Sequence, residues 1–510
     1  MISATDQIMG LEIKKSEFTQ RDYERFTGKL FNNLDALKQL LQQPDFGRGE
    51  STLGAELELY IIDRLGRPLA VNSELQKAVG DPQLTLELNR YNLEYNLTPV
   101  DMGGTPFSKI ESEICTVLSK LNEHAQQFSG RVLPIGILPT LKRSDFGLHA
   151  MTDLSRYHVL TRALSEIRGE RLTIKINGAD PISLRASDVT LEGANTSLQM
   201  HYRVPPEQFA DSYNSIQLVT PLVLAISANS PLLLGNRLWH ETRIPLFKHA
   251  IDGRDHNPVK TGEPDRVSFG NGWVRHGVHE LFAEAVYLHK PILPICESTQ
   301  FRQKAADKPV TDVTGKIAPS LFELSLHQGT VWPWNRPVYD PADGGHLRIE
   351  IRALPAGPSP CDMMANAALI IGLAEGLRPR IEEIIPALPF QTLEYNFYQA
   401  AEKGMKAQLM WPNGPREQLS RTPVIDIVAE LLPTARKGLL RAGIAPREVD
   451  YYLGIIRQRL QAKTNGACWQ LRQFNRLSHS LVKRRALRSM LEHYIQHSGN
   501  NRPVAQWEDI

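Results

Sequence analysis

Three short segments of the chain carry ionisable residues at two-residue steps. In Gly54–Ile62, Glu56, Glu58 and Tyr60 alternate with Ala55, Leu57, Leu59 and Ile61. In Ser197–Val204, Gln199, His201 and Arg203 alternate with Leu198, Met200, Tyr202 and Val204. In His346–Leu354, Arg348, Glu350 and Arg352 alternate with Leu347, Ile349 and Ile351. Leu84–Pro99 adds Glu87 and Glu94, the latter in the alternation Asn92, Glu94, Asn96. Two carboxylates at this step on a strand lie on one face, with Cβ atoms about 7 Å apart. Like charges that close raise each other's pKa unless a cation sits between them. Hard divalent cations take carboxylate oxygens. Pooled on one funnel wall, these residues supply five carboxylates, one imidazole and several guanidiniums. That set suits two or three divalent cations beside a phosphoryl group, with arginine on the developing charge. Each segment taken alone also reads as a solvated strand face. The repetition across segments is what favours chemistry.

Period two makes each segment a strand. Around the strands, Lys15 to Gln43, Thr105 to Phe128, Asp153 to Ile167, Pro206 to Leu234 and Asp362 to Leu377 read as helices. Thr105 and Pro106 are placed to start the second of these. Val132–Leu138 and Pro291–Cys296 read as short strands, Leu172–Asn195 as irregular, and Leu321–Thr330 as helix or strand. His249–Gly277 is a long polar loop, the candidate cover for a water-excluding site. From Pro386 onward the chain reads as almost all helix, and its basic run Arg472–Arg488 as a solvated face.

The chain has 510 residues, 42% hydrophobic and 22% charged, enough for a substantial core. A net charge of +2 does not indicate a nucleic-acid surface. The most apolar stretch, Leu218–Leu234, is broken by Pro221, Asn229 and Pro231, so it reads as buried helix and turn rather than a membrane span. The N-terminus lacks the apolar run of a secretory signal. Cys115, Cys296, Cys361 and Cys468 are too scattered for a zinc knuckle or a redox pair and suit a reducing cytoplasm. No GxxxxGK[ST] loop and no GxGxxG after a strand is present, so any ATP is held through metals and the sheet.

Gly54-Ala55-Glu56-Leu57-Glu58, Glu87 with Glu94, Gln199-Met200-His201, Ser227-Ala228-Asn229-Ser230-Pro231 and Arg348-Ile349-Glu350-Ile351-Arg352 occur in that order. The ordered set resembles the type 2 glutamate–cysteine ligase or carboxylate–amine ligase family over roughly residues 50–385. The resemblance implies an α+β fold like that of glutamine synthetase: a curved, mostly antiparallel sheet forming a funnel, backed by helices. With the helical pattern on either side, the chain divides into an N-terminal helical arm at 1–48, a catalytic domain at 49–385 and a C-terminal helical region at 386–510, the last outside the resemblance. The resemblance further implies that Glu58, Glu87 and Glu94 hold one metal, Mg²⁺ or Mn²⁺, near an amino-acid substrate. Glu56, His201 and Glu350 would hold another between ATP phosphates. Arg352 would act on the transferring phosphoryl group together with Glu350, and Arg348 would bind nucleotide. Arg243, Asn229 and Arg203 would contact substrate.

The activity implied is ATP-dependent joining of glutamate to an amine, cysteine by default, through a γ-glutamyl phosphate. A different amine or carboxylate, a phosphotransferase, and a non-catalytic regulatory member of the fold stay open, as does a homo-oligomer. The ligand grouping predicts that Glu56→Gln or Glu350→Gln abolishes turnover with the fold intact.

Overall fold

The computed structural model describes residues 17–168, 172–186, 188–251, 264–297, 318–413 and 418–510. Its strands, in chain order, are β1 (Thr52–Asp63), β2 (Leu84–Leu86), β3 (Asn92–Asn96), β4 (Val100–Asp101), β5 (Gly130–Leu133), β6 (Leu172–Ile176) and β7 (Ile182–Ala186), then β8 (Leu198–Arg203), β9 (Leu232–Leu233), β10 (Asn236–Arg237), β11 (Asn335–Asp340), β12 (His346–Ile351), β13 (Gln408–Asn413) and β14 (Gln418–Pro423). One sheet of eight strands runs in the order β11-β12-β8-β1-β3-β2, with β4 and β5 also paired to β1. Every pairing in it is antiparallel, and the sheet curls into a half-barrel. The twelve-residue β1 is its spine.

Alternation decides which face is which. Leu53, Leu57, Leu59 and Ile61 of β1, Leu198 and Met200 of β8, and Leu347, Ile349 and Ile351 of β12 are all buried. They share one hydrophobic cluster with the helices Phe209–Ser227 and Pro360–Leu377. A one-residue slip in any strand would turn this apolar set to the other face, so burial fixes the register that aligns the polar residues.

The helix Pro360–Leu377 is apolar almost all round, as a helix enclosed on every side must be. Ser359 caps it, accepting from the Asp362 amide at 3.2 Å, with Pro360 in the first turn. It meets the helix Val424–Arg441 backbone to backbone. A Cβ on Gly438 would overlap the Gly372 carbonyl oxygen and the Gly376 nitrogen. The C-terminal helices close over the same core. Buried Arg459 reaches back to Asp362 at 2.8 Å and to Asn366. Among the described residues, no helix is long and apolar enough to cross a membrane.

Several segments differ from expectation. Pro291–Cys296 forms no strand: Pro291 and Pro294 remove two amide donors. The irregular-looking stretch after Leu172 is the β6–β7 hairpin, held by the alternating buried Ile174, Ile176, Ile182 and Leu184. Residues 408–423, which read as part of a helical region, contain the β13–β14 hairpin. There Leu409 and Trp411 bury one face, and the Asn396 amide exchanges two 2.8 Å bonds with Met410. Leu84–Pro99 is two strands, β2 and β3, rather than one. The ambiguous segment near residue 325 is the helix Phe322–Gln328. Of the candidate covering loop, residues 252–263 lie outside the described residues, and residues 264–277 form neither helix nor strand.

Candidate active site

The register brings the ionisable residues of four strands onto one face. Glu350 of β12 stands opposite His201 of β8, and Arg348 opposite Arg203. Glu56 of β1 stands opposite Gln199, and Glu58 opposite Glu94 of β3. Three donor atoms, one each from Glu56, His201 and Glu350, lie within 4.8 Å of one another. Among the described residues this is the one such set. His201 Nε2 is 3.0 Å from a Glu56 oxygen but outside hydrogen-bond geometry. Among the described residues, neither buried ring nitrogen of His201 has a hydrogen-bond partner.

Glu350 is fully buried between two guanidiniums. Arg336 Nε donates to one oxygen at 2.5 Å and Arg352 Nη1 donates to the other. Burial pushes the Glu350 carboxyl up, but Arg336, Arg352 and His201 together overcome it and hold it well below the carboxylate range. Burial likewise opposes Glu56, and His201 and Arg336 overcome burial and the Glu350 charge to keep it lowered. Both carboxylates are therefore charged at neutral pH despite being enclosed. Two carboxylates and an orphaned imidazole fit a divalent cation with mixed oxygen and nitrogen donors. Each Glu350 oxygen, holding one hydrogen bond, retains a second lone pair for it.

A second group of carboxylates lies one step along β1. Glu58 accepts from the Ser197 amide at 2.6 Å, the Ser197 hydroxyl at 3.0 Å and Gln199 Nε2 at 3.0 Å. Burial, and next the charge of Glu87, nevertheless push its carboxyl up to about 8. Glu87 is raised too, by burial and then Glu56, against the pull of Arg156 and Arg352. Glu94 accepts from Thr85 Oγ1 at 3.2 Å. These three are neighbours, more loosely grouped than the first set. The Arg352 guanidinium also donates to Gln199 Oε1 at 2.6 Å, so it is aimed from two sides and bridges the two groups.

Arg348 and Arg203 face each other at the opposite end of β8. Arg348 lies 3.3 Å from Asp340, while Arg203 is 3.9 Å from Asp343 and donates to the Arg48 carbonyl. Both Nε atoms are buried without a hydrogen-bond partner. Like charges directly opposite repel, and Asp340 and Asp343 beside the two guanidiniums offset that repulsion. Arg203 is thus grouped with the nucleotide candidate Arg348, away from Glu58. Arg243 is buried in an ion pair with Glu241 at 2.8 Å and donates through Nη2 to the Ala353 carbonyl.

Asn229 adjoins Arg243 through Glu241, whose Oε2 accepts from the Asn229 amide at 2.9 Å. Its Nδ2 donates to the Ala356 carbonyl and the Tyr494 hydroxyl at 2.8 Å each, and its Oδ1 accepts from Gln470 at 2.9 Å. These bonds tie the C-terminal helices to the core.

Two residues beside these clusters are not singled out by the alternation. Arg336 lies on the edge strand β11, where Pro337 obscures the strand signal because proline is tolerated only at edges. Glu192 sits in a single helical turn, Glu192–Ala194, just before β8. Burial, then Glu87 and Glu58, push its carboxyl well up. No periodic pattern marks such a residue.

The half-barrel with its lined face defines the scaffold of the glutamine-synthetase-like ligases. Residues 52–492 match the model of "Glutamate-cysteine ligase family 2 (GCS2)", and the chain belongs to that family. The match continues past residue 385, beyond the span of the motif resemblance, and takes in most of the C-terminal helices. A glutamate–cysteine ligase of Francisella tularensis, solved in complex with AMP, is similar in fold, with a TM-score of 0.53 at 11% identity over 89% of this chain and 90% of that one. A bifunctional glutathione synthetase from Pasteurella multocida aligns with a TM-score of 0.45 at 11% identity, over 92% of this chain and 55% of that one. No curated protein sequence matches the chain.

Proposed function

We propose that the protein is an ATP-dependent carboxylate–amine ligase that activates the side-chain carboxylate of glutamate as an acyl phosphate and passes it to an amine, cysteine first. The carrying observation is the largely enclosed set Glu56, His201 and Glu350, flanked by Arg336 and Arg352, beside the carboxylates of Glu58 and Glu87. A free carboxylate is a poor acyl donor because oxide would have to leave; phosphorylation supplies a leaving group.

Glu56, His201 and Glu350 would hold one Mg²⁺ or Mn²⁺, and Glu58, Glu87 and Glu94 a second. Divalent cations held there would neutralise phosphate oxygens and so let an anionic carboxylate approach. The chain's own groups do the rest. Arg348 and Arg203 seat the nucleotide phosphates. Arg352, fixed by Glu350 and Gln199, meets the charge that develops on the transferring phosphoryl group. Arg336 keeps Glu350 ionised without approaching substrate. Arg243, whose Nη1 donates no hydrogen bond, takes a substrate carboxylate. Ser197 and Gln199 hold Glu58 toward the same space.

Phosphate release from ATP and Mg²⁺ is the test, with glutamate and a panel of amines led by cysteine. Release is expected to need glutamate and one amine together, with an amide of matching mass. Release without any amide would point to a phosphotransferase and overturn the ligase assignment.

A further inference from the structure

The aim of the buried Arg243 guanidinium is set by two contacts. Its Nε donates to Glu241 Oε1 at 2.8 Å, and its Nη2 donates to the Ala353 carbonyl at 2.7 Å. Glu241 is fully buried in turn. The Ser230 hydroxyl donates to the same oxygen, and the Asn229 backbone amide donates to the other at 2.9 Å. A buried ion pair is favourable only where its geometry is fixed and its remaining lone pairs are satisfied, so whatever places Asn229 and Ser230 also places Arg243.

The helix Phe209–Ser227 does not place them, because its C-cap Ala228 has already left the helical conformation, with φ −48° and ψ 133°. The C-terminal helices do. On the helix Lys483–Gly499, the Tyr494 hydroxyl accepts from Asn229 Nδ2 at 2.8 Å and donates to the Pro134 carbonyl at 3.1 Å. On the helix Gly466–Leu477, Gln470 donates to Asn229 Oδ1 at 2.9 Å and to the Asn229 carbonyl at 3.1 Å. The Ala467 amide donates to the Ala228 carbonyl at 2.8 Å. The approach leaves no room for side chains: a Cβ on Gly466 would overlap Asn229 Oδ1, and one on Gly357 would overlap the Tyr494 hydroxyl. The Tyr494 ring is packed against Trp507, edge-on with centroids 5.2 Å apart, and Trp469, at 6.4 Å. Tyr494 and Trp507 both lie past residues 52–492, the span of the family match. Resting on the reading above that Arg243 takes a substrate carboxylate, we propose that Tyr494 is a positioning residue for that guanidinium. It acts through Asn229 and Glu241 without touching substrate. The C-terminal helices thereby set how tightly the carboxylate is held, besides closing over the core.

Equilibrium binding in the presence of Mg²⁺ tests this without turnover. The probes are glutamate, cysteine and a non-hydrolysable ATP analogue, each measured well below the unfolding midpoint of the protein used. Arg243→Lys keeps the charge beside Glu241 and is expected to weaken one of the two amino acids. Tyr494→Phe is expected to weaken that same amino acid about 10-fold, with the ATP analogue within about twofold. Gln470→Met, which removes the other hold on Asn229 at similar volume, is expected to do the same. The double variant Arg243→Lys/Tyr494→Phe is expected to bind no more weakly than Arg243→Lys, because the aim that Tyr494 sets is already lost. A Tyr494→Phe protein with a lowered unfolding midpoint and wild-type binding overturns the proposal in favour of a purely structural role, and leaves the Arg243 assignment standing. Additive weakening in the double variant, or equal weakening of the ATP analogue, overturns it too. A wild type that binds neither amino acid, or an Arg243→Lys protein that weakens neither, overturns it together with the Arg243 assignment.

Discussion

Replacing Glu350 by glutamine separates two jobs that one carboxylate performs. Glu350 is fully buried, and the side chains of Arg336 and Arg352 beside it are only 12% and 15% exposed. Glutamine keeps the shape but removes the charge and turns an amide donor toward one guanidinium. Each charge-assisted hydrogen bond lost is worth about 1.5–3 kcal/mol. Breaking one partner out of a buried ion pair costs about 3–5 kcal/mol. The variant is thus expected to lose about 3–5 kcal/mol, read as a lower midpoint of urea unfolding, as well as all amide formation. Glu56→Gln is the control. Its carboxylate lies against His201 and is opposed by the charge of Glu350, so the variant should abolish turnover while lowering the unfolding midpoint less than Glu350→Gln does. Arg336→Gln alone strands Glu350 with a single guanidinium. The double variant should therefore be far less unstable than the sum of the two, with a coupling of at least about 1.5 kcal/mol. Additive single effects, or a Glu350→Gln protein that unfolds at the wild-type midpoint, would refute the reasoning.

Three further outcomes are expected. Glu58 is raised to about 8 in the folded protein against its ordinary value of 4.5, so its contribution is fully present below pH 4.5 and is lost as pH rises to about 8. Metal-free wild type should fall below Glu58→Gln in thermal stability by about pH 8.5, and added Mg²⁺ should reverse the order; a pH-independent difference between them would count against the burial argument. Arg348→Ala should raise KM for ATP about tenfold or more while leaving KM for glutamate within about twofold, measured by steady-state phosphate release. Gly438→Ala drives a methyl into the Gly372 and Gly376 backbone, so its unfolding midpoint should drop by the equivalent of about 2–3 kcal/mol; a wild-type midpoint would mean these helices are free to move apart.

The features legible in the sequence are those that repeat with a fixed period. Glu56 and Glu58, His201, and Glu350 with Arg352 each sit in an alternation whose apolar half is buried, so one physical constraint sets both the strand and the face. The antiparallel order that places Glu350 opposite His201 is tertiary, yet the family resemblance already groups them. Residues outside a period carry no such signal. Glu192 lies in a turn fixed by Tyr60 and Asn89, contacts 134 and 101 residues distant for Ala194 and Thr190. Arg336 is masked by its neighbouring proline. For Asn229 the helix-end position near Pro231 is legible, while its partners Gln470 and Tyr494 come from helices that no local pattern connects to it. The β13–β14 hairpin is lost among strong helical neighbours because its stabilising contact, Asn396 on the Met410 backbone, is made by a helix outside the hairpin.

Whether this face turns a carboxylate into an acyl phosphate before an amine displaces it can be followed atom by atom. Glutamate carrying ¹⁸O in its side-chain carboxylate, incubated with ATP, Mg²⁺ and the accepted amine, tests that step directly. One ¹⁸O atom is expected in each phosphate released, with ADP as the nucleotide product and the amide formed in equal amount. Unlabelled phosphate, or label recovered in AMP, would contradict an acyl phosphate.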